Sequence, residues 1–267
     1  AGKIAPALAV GCTVVMKPAP QDPLAVLVLA EVMHEVGFPP GVVNIITSSA
    51  PEPAAALTDS RDVDMVSFTG STAVGSRIYE AGGRTMKRLL LELGGKGAGI
   101  VFEDADVKAA IGAIGSVWSF HSGQICTAPT RAILHRSVYD EVIAGLAQYA
   151  GALKIGDPTS MDTMVGPVIS KAQKERIEGY ITSGERDGAE LVVDGRSPRG
   201  LDTGCYVGPT LLSNCHSGMR AVKEEIFGPV VVAVPFDDEE EAIAIANSSE
   251  FGLYDYVFTT DSEKAYR

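Results

Sequence analysis

Four short apolar runs, CTVVMK (12–17), GVVNIIT (41–47), VDMVSF (63–68) and KRLLLEL (87–93), follow one another with helical patterns between them. QDP opens the first helix, with Asp22 at its N-cap and Pro23 at the first helical position, and Gly37 with Pro39 and Pro40 stops it. A short helix is expected around 53–58, and TGSTAVGSRIYEAGG is a loop running into another helix. Strand, helix, strand in this rhythm means a parallel sheet with crossover helices. Strands this apolar point to burial on both faces of that sheet.

After GGKGAG (94–99) the pattern starts again. A strand leads through an acidic turn to a helix starting near Asp104 to Asp106, then strand TRAILH (130–135) and a helix from about Ser137. A loop (154–170), a helix over about 170–187 and strand AELVVDG (189–195) precede a Gly- and Pro-rich excursion (196–209). Strands VVVAVPF (230–236) and YVFT (256–259) frame an acidic helix. The fold class is therefore α/β, with the boundary at the glycine-rich stretch: residues 1–94 form one domain and residues 95–267 a second.

Charge narrows the partners. The chain holds 22 Lys plus Arg against 34 Asp plus Glu, a net charge of -12, with no basic cluster. Neither nucleic acid nor an anionic membrane surface is expected as a partner. No apolar run reaches the roughly 18 residues that a spanning helix needs, and the first residues do not read as a signal peptide. The chain does not begin with Met and reads as a piece of something longer. Four cysteines without a C-x-x-C pair suit reduced thiols in a cytoplasmic protein. The four histidines show no zinc spacing, so no metal is expected.

Five stretches could carry chemistry. FTGSTAVGSR (68–77) sets Gly70 and Gly75 at a strand-to-helix junction, where free N–H groups suit a phosphate. It is neither G-x-G-x-x-G nor a Walker A loop, and a plain tight turn explains it equally well. Lys17, in MKPAPQD, stands at a strand's carboxyl end, where ligands of open α/β sheets gather, although a solvated lysine is the simpler reading. Glu92 lies in LLLELGGK among leucines. Burial there would raise its pKa and suit a general base; an ion-paired structural Glu is the even alternative. EEIFGPV (224–230) places carboxylates and Phe227 before a Gly-Pro turn, either to grip a polar ligand with a flat ring or merely to end a helix. GQICTAPTR (123–131) offers Cys126 no cation or base in sequence, so a buried inert thiol outweighs a nucleophile on spacing alone.

Taken together and in order, KIAPALAVGCTVVMKPAP, FTGSTAVG, LELGGK, SGQICTAPTR and EEIFGPV resemble the successive signatures of the NAD(P)-dependent aldehyde dehydrogenase superfamily, from residue 1 to residue 267. The resemblance implies a Rossmann-like parallel-sheet cofactor domain, incomplete here, followed by an α/β catalytic domain carrying the nucleophilic Cys. It implies oxidation of a small aldehyde to a carboxylic acid, with NAD or NADP as cofactor, by a protein that is a homodimer or homotetramer at full length. By match to the family motifs, Cys126 is the nucleophile and Glu92 the general base. Lys17, Thr69, Gly70, Ser71, Val74, Gly75, Leu93, Gly94, Glu225 and Phe227 match the cofactor contacts. Of these, Glu225 and Phe227 hold the nicotinamide ribose and ring. Transfer of the acyl group to coenzyme A, and a non-catalytic fragment or binding protein of the same fold, are the alternatives.

Three departures from the family pattern follow. Its second oxyanion donor, an Asn, would precede residue 1, and its C-terminal segment would follow Arg267. Where many NAD-preferring members carry Glu, three residues after the matching Lys, this chain has Pro20, which leaves room for NADP. Trp118, Phe120 and His121 are expected to line the approach to Cys126.

Overall fold

In the computed structural model, which describes residues 2–267, the chain divides into two units, Ala1–Leu93 and Gly94–Arg267. The first runs α1 (Ile4–Ala9), β1 (Val14–Met16), α2 (Leu24–Glu35), β2 (Val43–Ile45), α3 (Glu52–Asp59), β3 (Met65–Thr69), α4 (Thr72–Gly83) and β4 (Arg88–Glu92). β1 pairs in parallel with β2, and β3 with β4, as two separate two-stranded sheets. The strands alternate exposed and half-buried residues, so burial on both faces does not occur. In each pair every second side chain is half-buried and the one between is exposed, as the period of 2 along a strand dictates. α2 also starts one residue later than its sequence suggests. Pro23, with no N–H to donate, takes the N-cap position, and its carbonyl accepts from the Leu27 N–H at 3.1 Å.

The second unit runs β5 (Ala98–Val101), α5 (Val107–Ser119), a 3₁₀ turn (His121–Gly123), β6 (Arg131–His135), α6 (Arg136–Ala152), α7 (Lys171–Arg186), β7 (Glu190–Val193), β8 (Thr210–Ser213), α8 (Arg220–Lys223), β9 (Val230–Phe236), α9 (Glu239–Ala246), β10 (Tyr256–Phe258) and α10 (Ser262–Tyr266). Its six strands lie in the order β10-β5-β6-β9-β8-β7, parallel except for β7, which pairs antiparallel with β8 at one edge. Here the inner strands β5, β6, β8 and β9 are buried on both sides. Val230, Val232 and Val234 pack with Ile177 and Ile181 of α7 and with Ala242 and Ile245 of α9. The intervening Val231 and Ala233 pack with Ile114 and Trp118 of α5 and with Val142 and Leu146 of α6. The two side-chain periods, 2 on the strands and 3.6 on the helices, interleave into three layers.

Two caps in this unit match their sequence signals. Asp106 accepts from Ala109 N–H at 3.0 Å to start α5, and Ser170 accepts from Gln173 N–H at 3.2 Å to start α7. His135, not Ser137, caps α6, its Nδ1 accepting the Ser137 N–H at 3.3 Å.

Candidate active site

β5, β6 and β9 are neighbours in one parallel sheet, so the segments that enter them come together at its amino edge. Those segments are Gly94–Gly97, the stretch containing Cys126, and Glu225–Pro229. Sequence reasoning placed ligands at strand carboxyl ends; in this unit the candidate residues gather at the opposite edge. Nothing in a one-dimensional reading signals this, because the three segments lie far apart along the chain.

Gly95 sits at the centre of the group. Its N–H donates to Glu225 Oε1 at 3.1 Å. A Cβ on Gly95 would collide with the carbonyl oxygen of Cys126, so only glycine lets the two segments lie this close. A Cβ on Gly94 would lie 2.5 Å from Glu225 Oε2. Glu225 is half-buried, and its backbone carbonyl accepts from Arg176 Nη2 of α7 at 2.7 Å. Gln173 Nε2 donates to the carbonyls of Ile226 (3.0 Å) and Phe227 (2.8 Å), which pins the turn that carries the Phe227 ring. Phe227 has φ +59°, a left-handed conformation that a Phe adopts only when its surroundings enforce it.

The segment leading to Cys126 is equally constrained. His121, Ser122 and Gly123 all have positive φ, at 51°, 53° and 73°. Ser122 Oγ donates to the Gly166 carbonyl at 2.9 Å, and Gln124 Oε1 accepts the Ile169 N–H at 3.0 Å. A Cβ on Gly123 would collide with the Gly228 backbone, so the turn before Cys126 and the turn after Phe227 touch. Cys126 itself is half-buried in a tight bend, and among the described residues its N–H has no hydrogen-bond acceptor. A reachable sulfur beside a free N–H is what attack on a carbonyl requires. Phe120 and His121 are exposed, with rings 4.6 Å apart edge to face. Trp118 is not an approach residue: it is fully buried in the core against Tyr149, because its helix turns that face to the sheet.

In the first unit the candidates lie at strand carboxyl ends. Thr69 and Glu92 are paired in register at the ends of β3 and β4, and both are exposed. Glu92 is thus not the buried carboxylate expected from its leucine neighbours: in β4 the leucines Leu89 and Leu91 turn inward and Glu92 outward. The Gly70 N–H donates to the Glu92 carbonyl at 3.0 Å, and a Cβ there would lie 2.5 Å from the Phe68 ring. Ser71 caps α4, its Oγ accepting from the Val74 N–H at 3.4 Å. A Cβ on Gly75 would collide with the Leu93 side chain, so Gly75 lets α4 settle on the strand end. Val74 is exposed on the first turn. Lys17, just past β1, donates to the Pro18 carbonyl at 3.0 Å, and Pro20 is exposed in the turn that follows.

The remaining cysteines differ in setting. Burial pushes the Cys215 thiol up to about 12, so it is inert near neutrality. Cys205 is half-buried and Cys12 exposed. No cluster of metal-ligating side chains occurs among the described residues, and no helix among them is long and apolar enough to cross a membrane. The residues that sequence reasoning missed are those that shape the site without touching a ligand: Gly95, Gly123, Gly228, Ser122, Gln124, Gln173 and Arg176. Only the glycines carried a signal, as glycines flanking the motif residues.

The family model described as the aldehyde dehydrogenase family matches residues 1–267. The betaine aldehyde dehydrogenase of Beta vulgaris chloroplasts is 41% identical over 267 residues, covering 99% of this chain and 53% of its own length. A betaine aldehyde dehydrogenase from Staphylococcus aureus, solved with NAD+, superimposes with a TM-score of 0.95 at 40% identity, over 99% of this chain and 53% of that one. A mutant of aldehyde dehydrogenase C from Pseudomonas syringae, solved with NAD+ and octanal, gives a TM-score of 0.94 at 42% identity, over 99% and 55%. The chain therefore spans about half the length of the relatives it matches.

Proposed function

Because this chain belongs to the aldehyde dehydrogenase family, we propose that it supplies the reacting residues of an enzyme that oxidises an aldehyde to a carboxylic acid with NAD or NADP. The observation that carries this reading is the convergence, at one sheet edge, of a half-buried Cys126 with a free N–H and of Glu225 held by Gly95.

The residues present fit a dinucleotide. α4 is a 12-residue helix entered through Gly70 and Gly75, where a Cβ would meet the Phe68 ring and the Leu93 side chain respectively. Thr69, Gly70, Ser71, Val74, Gly75, Leu93 and Lys17 would hold the adenosine and phosphate portion, and Gly94, Glu225 and Phe227 the nicotinamide ribose and ring. When bound, the oxidised nicotinamide supplies the hydride acceptor. Pro20 puts no carboxylate where a ribose 2′-phosphate would meet one, which supports use of NADP as well as NAD. Resolved NAD+ complexes of the relatives support NAD.

In this reading the Cys126 thiol loses its proton to solvent, its Sγ attacks the carbonyl carbon, and the electron pair displaced onto oxygen is met by the Cys126 N–H. The thiohemiacetal then loses hydride from carbon to become a thioester on Cys126. Glu92 takes a proton from the water that attacks this thioester, and collapse of the adduct releases the carboxylic acid and the sulfur. An exposed carboxylate at this position supports water, rather than coenzyme A, as the acyl acceptor. A trimethylammonium aldehyde, a long aliphatic aldehyde and other aldehydes are all candidate substrates, and the family resemblance supports a homodimer or homotetramer.

The test is steady-state turnover of the whole-length enzyme on an aldehyde panel, with and without coenzyme A. Cys126→Ala should abolish turnover; retention of it would overturn the assignment. Acid formation that requires coenzyme A would replace hydrolysis by acyl transfer.

A further inference from the structure

His121, Ser122 and Gly123 hold φ at 51°, 53° and 73° in succession, a few residues before Cys126. Two of them carry side chains, and a left-handed backbone is costly for such residues unless the surroundings enforce it. The enforcement comes from a shelf, residues 164–170, which sequence patterning reads only as loop. The shelf is itself anchored. The Val165 N–H donates to the Lys154 carbonyl and the Val165 carbonyl accepts from the Gly156 N–H, each at 3.1 Å. The Val168 N–H donates to the Cys205 carbonyl at 2.8 Å. Val165 and Val168 are buried in the cores on the two sides of the sheet, and Ser170 ends the shelf as the N-cap of α7. Two side chains hook the turn onto this shelf. Ser122 Oγ donates to the Gly166 carbonyl at 2.9 Å. Gln124 does more, because both ends of its amide are used. Its Oε1 accepts the Ile169 N–H at 3.0 Å, and its Nε2 donates back to the His121 carbonyl at 3.1 Å. The same carbonyl accepts the Gln124 N–H at 3.1 Å. One half-buried side chain thus closes the left-handed turn and fastens it to the shelf, two positions before Cys126. On another side the turn is stopped where Gly123 abuts the Gly228 backbone.

We propose that Gln124 is a positioning residue for Cys126, its amide locking the turn 121–123 to the shelf and so fixing where the sulfur and its free N–H stand relative to an attacked carbonyl. This rests on the reading of Cys126 as the nucleophile. Attack on a carbonyl needs the sulfur and the N–H aligned together. Alkylation by iodoacetamide needs only a reachable thiolate. Loss of the clamp therefore separates the two reactions.

The experiment measures kcat/KM for an aldehyde at saturating NAD+, the NAD+ Kd and the rate of Cys126 alkylation by iodoacetamide, all on the whole-length enzyme. Gln124→Met fills the same space without the amide. It should lower kcat/KM by about thirtyfold or more, while alkylation stays within about threefold and the NAD+ Kd within about twofold. Gln124→Glu tests the donor alone. Its carboxylate still accepts the Ile169 N–H but has no proton for the His121 carbonyl; once protonated, it serves both. Its kcat/KM is taken relative to the unmodified enzyme at each pH, which cancels the titration of exposed His121. That ratio should recover by about fivefold or more between about pH 8 and about pH 5. This variant keeps the test open if Gln124→Met does not fold. An unchanged kcat/KM in Gln124→Met, a parallel fall in alkylation and NAD+ affinity, or a Gln124→Glu deficit that does not vary with pH would each overturn the role, and an inactive Cys126→Ala would leave the nucleophile reading standing. Turnover retained in Cys126→Ala would sink that reading, and the role of Gln124 with it.

Discussion

Gly95 donates its backbone N–H to Oε1 of Glu225 across 3.1 Å, although 130 positions separate them, and its α-carbon abuts the carbonyl of Cys126. One residue without a side chain thus fixes both the carboxylate assigned to the cofactor and the bend that presents the sulfur. Gly95→Ala places a methyl group against the Cys126 carbonyl, which is backbone and cannot rotate away. It should cost about 1–3 kcal/mol of stability and lower kcat/KM by about a hundredfold or more. Thermal unfolding and steady-state kinetics on the same preparation check it; a variant with unchanged melting and turnover would show that the contact is slack.

Gly75→Ala pushes its new methyl group into the Leu93 side chain. Leu93 is flexible, so the expected loss is smaller, about 1 kcal/mol, with a raised KM for the cofactor. Leu93→Ala in the same chain should recover part of that loss, a coupling that a double-mutant cycle measures directly. Strict additivity would mean that the two residues do not share one space.

Phe227 holds φ +59° against its own preference. Phe227→Gly relieves that strain and removes the ring together. Stability should stay within about 1 kcal/mol of the unmodified chain, whereas cofactor KM should rise by about tenfold. A large loss of stability with cofactor binding intact would make the ring a packing element.

Asp104 provides a pH test independent of catalysis. Its carboxylate accepts from Thr260 Oγ1 (2.7 Å), Thr259 Oγ1 (2.8 Å), the Thr260 N–H (2.8 Å) and the Asp261 N–H (3.2 Å), tying the β10–α10 corner to the end of β5. These bonds, led by those from Thr260 and Thr259, hold its pKa well below the ordinary 3.8. A depressed acid pKa contributes stability that is complete above the unfolded value and drains away as pH falls below it. Asp104→Asn should be less stable at neutral pH and lose this part of the acid dependence below about pH 4. Parallel acid-melting curves for the two proteins would contradict the assignment.

Much of the α/β alternation is legible in the sequence, because β-branched runs and helix caps are local signals. β8 is not: Thr210–Ser213 is only four residues, follows a loop without periodicity, and owes its strand state to β7 and β9 on either side. α8 and α10 are too short for a period to show. The outward turn of Glu92 was hidden by its leucine neighbours, since a strand sends adjacent residues to opposite faces. The fully buried Trp118 was misread because proximity in sequence to Cys126 says nothing of which helix face it occupies. The motif residues were found by their joint order along the chain. Their meeting at the amino ends of β5, β6 and β9 depends on sheet order, which no local pattern encodes.

The most direct test of the central claim is intact and peptide mass spectrometry of the whole-length enzyme carrying Glu92→Gln, mixed with an aldehyde and NAD+. Hydride transfer should proceed once while hydrolysis stalls, leaving an acyl group on the peptide that contains Cys126. An unmodified Cys126 under normal turnover, or an acyl group found on another residue, would contradict the covalent mechanism assigned to this chain.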